Sequence, residues 1–298
     1  MLGVIGDISE DILVYQSAPL AHGSDAPSRV VRSRGGSAAN LAAAAAPLLP
    51  VRFIGCVGSD AHGRAVTEAL QREGVDVRVR IGSRSCTIVI LVSPDGERTM
   101  LPDRAANAEL SDVPNEWLDD LDALHITTYS LEGGPTTDAC IAAMACVKAR
   151  GGLTSLDTSS AAILKLIGVE PFEALVTQLD PDIIFANELE AEVLGWDVDE
   201  PAERLLVIKH GGDPVLFRNT QGSARIPVPP VTGVIDFTGA GDGYAAGFLA
   251  AVLAAASPIT PQDLRNIDVQ GPELAAWCAA AHVRASALIT QPGAGVEL

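Results

Sequence analysis

The chain has 298 residues, 48% hydrophobic and 19% charged, with a formal net charge of −18. Such an excess of carboxylates excludes nucleic-acid phosphates and anionic membrane as main partners, so an anionic ligand must be held by local amides, by Lys or Arg, or by a bound cation. The longest apolar runs, residues 41–49 and 248–256, are too short and Ala-rich to cross a bilayer, and Met1 leads into a strand without a basic signal region, so a cytoplasmic protein is expected. Five cysteines without C-x-x-C spacing suggest neither a disulfide framework nor a zinc site.

Residues 2–5 form an apolar run followed by Gly6, Asp7 and Asp11. This pattern predicts a central strand delivering carboxylates at its C-terminal end, where open α/β sheets bind ligands. Residues 12–34 lack a helical period and contain Pro19, Gly23 and Pro27, which places them as one or two strands outside the main sheet. The segment Arg34-Gly35-Gly36-Ser37-Ala38-Ala39-Asn40 then opens an Ala-rich helix stopped by Pro47. Paired glycines admit close approach of a ligand, and Asn40 can donate to and accept from hydroxyls. The same residues can equally form a tight turn and pack. Residues 51–57 read as a strand, and Gly58-Ser59-Asp60 leads to a helix over 62–73 ended by Gly74, the βαβ rhythm of a parallel sheet.

Residues 87–93 and 98–101 alternate around Pro94-Asp95-Gly96-Glu97, a hairpin pattern that joins the early irregular segment in a small β layer. Further strands are expected at 124–128, 153–157, 183–186 and 205–209. With no repeat or linker in view, one domain with an inserted lid is favoured over two domains in tandem.

Asn187 and Glu190 have the spacing of a helix capping box. Their functional alternative sets Glu190 toward a phosphate site, holding magnesium through water. Lys209 ends a strand before His210-Gly211-Gly212, where it either serves phosphate or lies in solvent. Residues 236–247, Asp-Phe-Thr-Gly-Ala-Gly-Asp-Gly-Tyr-Ala-Ala-Gly, open an almost wholly apolar helix. Backbone N–H groups of Gly239, Ala240 and Gly241 make that opening an anion site. Asp242 in its first turn either accepts a hydroxyl proton during phosphoryl transfer or merely caps the helix. His282, in the last helix, reads as a surface or packed histidine.

Together these pieces resemble the ribokinase-like (PfkB) family of carbohydrate kinases over nearly the whole chain. The markers occur in order: Gly35-Gly36 to Asn40, Val57-Gly58-Ser59-Asp60 to Gly63, Asn187 with Glu190, and Thr238-Gly239-Ala240-Gly241-Asp242. Asp103 to Asn107 and Asp157-Thr158-Ser159 are weaker echoes. The resemblance implies a three-layer αβα fold with a mostly parallel sheet and a β lid near residues 12–34 and 84–103. It implies ATP- and magnesium-dependent transfer to a hydroxyl of a small sugar or sugar acid. Asp242 would be the base and residues 239–241 the anion hole, with Asn187 and Glu190 organising magnesium and phosphates. Lys209 and Gly211 would lie beside the nucleotide, and Asp11, Gly35, Gly36 and Asn40 would hold the sugar. Asp236, Thr238 and the turn near Gly293 match positions at a monovalent cation such as K+, and lid strands in the family often pair in homodimers. Phe237, Ala105 and Pro214 depart from the family pattern without removing a reacting group. A nucleoside kinase, a sugar-phosphate kinase using Arg34, Arg98 and Arg104, and a non-catalytic binding protein remain alternatives.

Overall fold

The computed structural model describes residues 1–20, 23–291 and 295–298. The first third contains β1 (Leu2–Ile5), β2 (Ser9–Gln16), β3 (Ser28–Gly35), α1 (Ser37–Ala45), β4 (Val51–Gly58), α2 (Ala61–Arg72) and β5 (Asp76–Gly82). Next come β6 (Thr87–Val92), β7 (Arg98–Asp103), β8 (Ala123–Thr127), α3 (Gly134–Ala149), β9 (Leu153–Asp157), α4 (Ala161–Ile167), α5 (Val169–Leu179), β10 (Ile183–Asn187) and α6 (Glu188–Leu194). The last third has β11 (Leu205–His210), β12 (Asp213–Asn219), β13 (Gly222–Ile226), α7 (Ala240–Leu253), α8 (Pro261–Asn266) and α9 (Pro272–Ile289).

A nine-stranded sheet runs β13-β12-β11-β10-β9-β8-β1-β4-β5. It is parallel from β5 to β11, and β12 and β13 add an antiparallel edge. Strands β1, β4, β8 and β9 are buried along their length, which explains why they read as apolar runs and not as alternations. Their side chains still divide by face. Leu2, Val4 and Phe53 pack with α1, α7 and α9, whereas Ile5 and Ile54 pack with α3 and α5. Helices on both faces make the expected three layers.

Strands β3-β2-β6-β7 form a separate four-stranded sheet. The hairpin β6–β7 is antiparallel, and β2 pairs parallel with β6. Three strands escaped the sequence reading. Strand β5, at the sheet edge, alternates Val77, Val79 and Ile81 with arginines; Val77 and Val79 pack on the core, whereas Ile81 is exposed. The β12–β13 pair follows β11 through the turn at Gly211, whose φ of 62° suits glycine. The expected turn at Gly293 lies outside the described residues.

Candidate active site

The parallel strands deliver polar residues to one edge of the main sheet. After β1, the Asp7 carboxylate accepts the amides of Ser37 (2.8 Å) and Ala38 (3.1 Å) and the Thr127 hydroxyl (3.2 Å). Gly36, the residue before α1, has no side chain to cap that helix, so Asp7 does so from across the sequence. Gly36 itself has φ 98°, and a Cβ there would stand 2.5 Å from the Asp7 carbonyl. Only glycine fits between strand and helix at this point. The consequence is a fixed Ser37, whose hydroxyl donates to Asp242 Oδ1 at 2.7 Å.

Gly239 turns left-handed (φ 77°) to start α7, with Asp242 in the first turn. Of the amides expected at the anion hole, that of Ala240 already donates to the Phe237 carbonyl at 3.1 Å. Those of Gly239 and Gly241 lie at the helix start, where amides are left without internal partners. Burial, reinforced by the neighbouring Asp157 and Asp7, pushes the Asp242 carboxyl up to about 7, against the Ser37 hydrogen bond and the Lys209 charge. A base poised near neutrality suits proton acceptance.

Of the two readings of Lys209, the one that leaves it in solvent is excluded. Its ammonium lies 3.0 Å from Asp157 Oδ2, with side-chain exposures of 14% and 9%. Burial works against its charge, but Asp157, Glu190 and Asp242 together raise its pKa above the ordinary lysine value. A Cβ on Gly241 would approach Lys209 Nζ to 3.2 Å, so the amine lies beside the start of α7.

Asn187 and Glu190 do form the capping box: Asn187 Oδ1 accepts the Glu190 amide at 3.0 Å, and Glu190 Oε2 accepts the Asn187 amide at 2.8 Å. Glu190 also accepts from the Thr158 hydroxyl (2.5 Å) and from Asn187 Nδ2 (2.6 Å). Burial and the Asp157 charge raise its pKa. The cap does not exclude a site, because both residues line a cavity of about 680 Å³ shared with Lys209, Gly211 and Asp242. Its far wall is apolar, with Val228, Pro229, Val231 and Val234. His282 is the packed alternative of the two that the sequence left: it is buried, lines this cavity, and its Nε2 has no hydrogen-bond partner among the described residues.

Asp11, Gly35, Gly36 and Asn40 do not line this cavity; Ser37, directly after Gly36, does. A Cβ on Gly35 would fall 2.1 Å from the Asp11 carboxylate. Burial raises the Asp11 carboxyl to about 6, opposed by the Ser9 hydroxyl that donates to it at 2.6 Å. Asn40 Oδ1 accepts from Arg34 Nη1 (2.8 Å), and Arg34 Nε is held by Glu73 (2.8 Å). Arg34 therefore orients Asn40, leaving its amide nitrogen to donate. Asp236 and Thr238, expected at a monovalent cation, instead meet a guanidinium: Arg98 Nη2 donates to Asp236 Oδ2 at 2.8 Å, and its Nη1 donates to the Thr238 hydroxyl. The sequence reading gave no role to Ser37 and treated Asp157 as a weak echo. Asp157 carries the same signal as Asp7, a carboxylate directly after an apolar strand.

The profile of the pfkB carbohydrate kinase family matches residues 1–298. The chain belongs to this family. The pfkB chain is 33% identical to an ATP-dependent ribose-1-phosphate kinase of Halopiger xanaduensis, over 82% of each protein. It is 29% identical to a fructokinase of Salmonella typhimurium, over 86% of this chain and 85% of that one. The crystal structure of a Xylella fastidiosa fructokinase with bound ATP has the same fold, with a TM-score of 0.79 at 22% identity over 98% and 93% of the two chains. A pfkB carbohydrate kinase is a phosphotransferase that moves a phosphoryl group from ATP to a sugar hydroxyl. None of the helices described is long and apolar enough to cross a membrane.

Proposed function

We propose that this kinase phosphorylates a hydroxyl of a small neutral sugar, with Asp242 as base and the first-turn amides around Gly239, Ala240 and Gly241 as anion hole. The observation that carries this reading is Asp242 itself: a buried carboxylate with a pKa near 7, at a helix N-terminus, oriented by Ser37 and flanked by Lys209. The loose transition state of phosphoryl transfer asks mainly for positioning and charge compensation, and this arrangement supplies both. Ala240 exchanges the Phe237 carbonyl for a phosphoryl oxygen. Lys209 and Gly211 attend the nucleotide phosphates, and the apolar wall with His282 takes the base of ATP. The small sheet acts as a lid over one domain, excluding water that would otherwise accept the phosphoryl group.

The oxygen donors of Asn187, Glu190 and Asp157 fit magnesium held through water, since both Glu190 oxygens are already hydrogen-bonded and leave no room for tight direct ligation. Magnesium would supply charge neutralisation on the phosphates of bound ATP. Five free cysteines, four of them buried, fit a cytoplasmic location.

On the sugar side, Asp11 accepts and Asn40 donates. Carboxylates at Asp7 and Asp11 disfavour an acidic acceptor, and the arginines considered for a phosphate are already engaged: Arg34 by Glu73, Arg98 by Asp236, Arg104 by Glu132. The similarity to a ribose-1-phosphate kinase supports a second reading, in which Arg104 leaves Glu132 for a substrate phosphate. ADP release measured with fructose, ribose, ribose 1-phosphate and adenosine separates these readings. Turnover with a free sugar supports the first, turnover confined to ribose 1-phosphate supports the second, and no turnover with any acceptor defeats both.

A homodimer through the small sheet belongs to the same reading. Cross-strand partners Val30, Val14 and Leu91 share a face with Ile12, Val89 and Leu101, and Val30 and Leu101 are more than half exposed. With Arg32 and Thr99 on the same face, these residues form an exposed apolar patch of the kind that a two-fold interface pairs with itself. Sedimentation is expected to show a dimer for the wild type and a monomer for Leu91→Glu; a monomeric wild type contradicts the assignment.

A further inference from the structure

Arg98 opens β7 and is paired with Val92, which in turn faces Tyr15 on β2. Residues alternate faces along a strand, so Arg98 shares the face of Asp11, toward the cleft. From there its guanidinium crosses to the loop that precedes α7. Asp236 in that loop uses both oxygens: Oδ1 accepts the Thr238 amide (2.9 Å) and hydroxyl (2.6 Å), and Oδ2 accepts Arg98 Nη2 (2.8 Å). The Thr238 hydroxyl also accepts from Arg98 Nη1. Behind the loop, the amides of Ile235 and Asp236 donate to the Ile289 carbonyl at the end of α9. One arginine thus neutralises Asp236, fixes Thr238 and sets the residue next to Gly239.

These contacts disagree with a monovalent cation at Asp236 and Thr238. The side-chain oxygens such an ion would use are committed to the guanidinium, and a second positive charge against the same carboxylate would be repelled. Arginine is suited to the substitution, because its planar fork can bond a carboxylate and a hydroxyl at once while remaining charged at any working pH.

We propose that Arg98 is a positioning residue that supplies the fixed positive charge at Asp236 and Thr238 in place of a monovalent cation. Turnover then needs no such ion, and the loop before the anion hole is set only while the small sheet covers the cleft. The inference rests on the kinase reading, because it concerns the anion hole of that reaction.

The test compares wild type, Arg98→Ala and Arg98→Lys in tetramethylammonium, potassium and guanidinium chloride. Wild-type turnover is expected to differ by less than about twofold between tetramethylammonium and potassium. Arg98→Ala is expected to lose about tenfold or more in tetramethylammonium and to recover severalfold with guanidinium or potassium, which a merely structural role would not produce. Amide hydrogen exchange at Thr238, Gly239 and Ala240, measured without substrates, is expected to rise in Arg98→Ala and to remain close to wild type in Arg98→Lys. Potassium activation of the wild type by tenfold or more overturns the proposal, as does an Arg98→Ala protein with unchanged exchange in this loop. Should no acceptor be turned over, the kinase reading fails by itself, and the exchange measurement still decides the role of Arg98.

Discussion

Asp242→Asn is expected to lower kcat by about 10²–10⁴-fold while changing ATP affinity by less than about twofold. Asparagine keeps the size of the side chain and a Ser37 contact, so the first turn of α7 and its amides remain in place. What it loses is the ability to take the hydroxyl proton, an interaction made in the transition state and absent from nucleotide binding. A pH profile adds a separate check. With the Asp242 carboxyl at about 7 in the free protein, kcat/KM of the wild type should rise as pH increases through neutrality and then level off. The residual activity of Asp242→Asn should lack that limb.

Stability moves the other way. The folded protein holds this proton more tightly than an ordinary carboxyl, so the associated stability is complete below pH ~4 and is lost as pH rises to about 7. Above neutrality the buried charge is a net cost, and Asp242→Asn is expected to melt at least as high as the wild type at pH ~8. Equal turnover in the two proteins would remove Asp242 from the chemistry. A large fall in melting temperature would instead make it a structural cap.

The order of strands and helices was legible because buried parallel strands are written as short apolar runs and helix starts as Gly or Asx signals. Asp7, Glu190 and Asp242 could all be found by that grammar, since each follows a strand or opens a helix. The partners that fix their roles were less visible. Ser37 lies beside Asp242 only because Asp7 caps α1 across the intervening chain, and Lys209 meets Asp157 only because β9, β10 and β11 are neighbours. Arg98 is the extreme case: it reaches from the small sheet to Asp236 in the loop before α7, a pairing to which no local pattern points. Strand β5 was lost for another reason, because its arginines make a half-buried edge strand resemble a polar surface segment.

Gly36→Ala is expected to destabilise the protein by about 2–4 kcal/mol and to reduce kcat/KM by about 100-fold. Two physical terms combine here. A side chain at φ 98° is strained in its own backbone, and its Cβ would also stand 2.5 Å from the Asp7 carbonyl and 2.8 Å from the Ile8 Cα, neither of which is the end of a flexible side chain. Relief requires α1 to retreat from β1. That movement carries Ser37 away from Asp242 and shifts Asn40, so one methyl group disturbs both the base and the sugar side. Gly133→Ala provides the control, since Gly133 has a similar φ of 103° with nothing within 4 Å of its added Cβ. It should show the backbone strain alone, about 1–3 kcal/mol, with full activity. If the two variants lose equal stability and both keep wild-type kcat/KM, the contact between Gly36 and Asp7 does not set the catalytic geometry, and the position of Ser37 must be fixed from α7 instead.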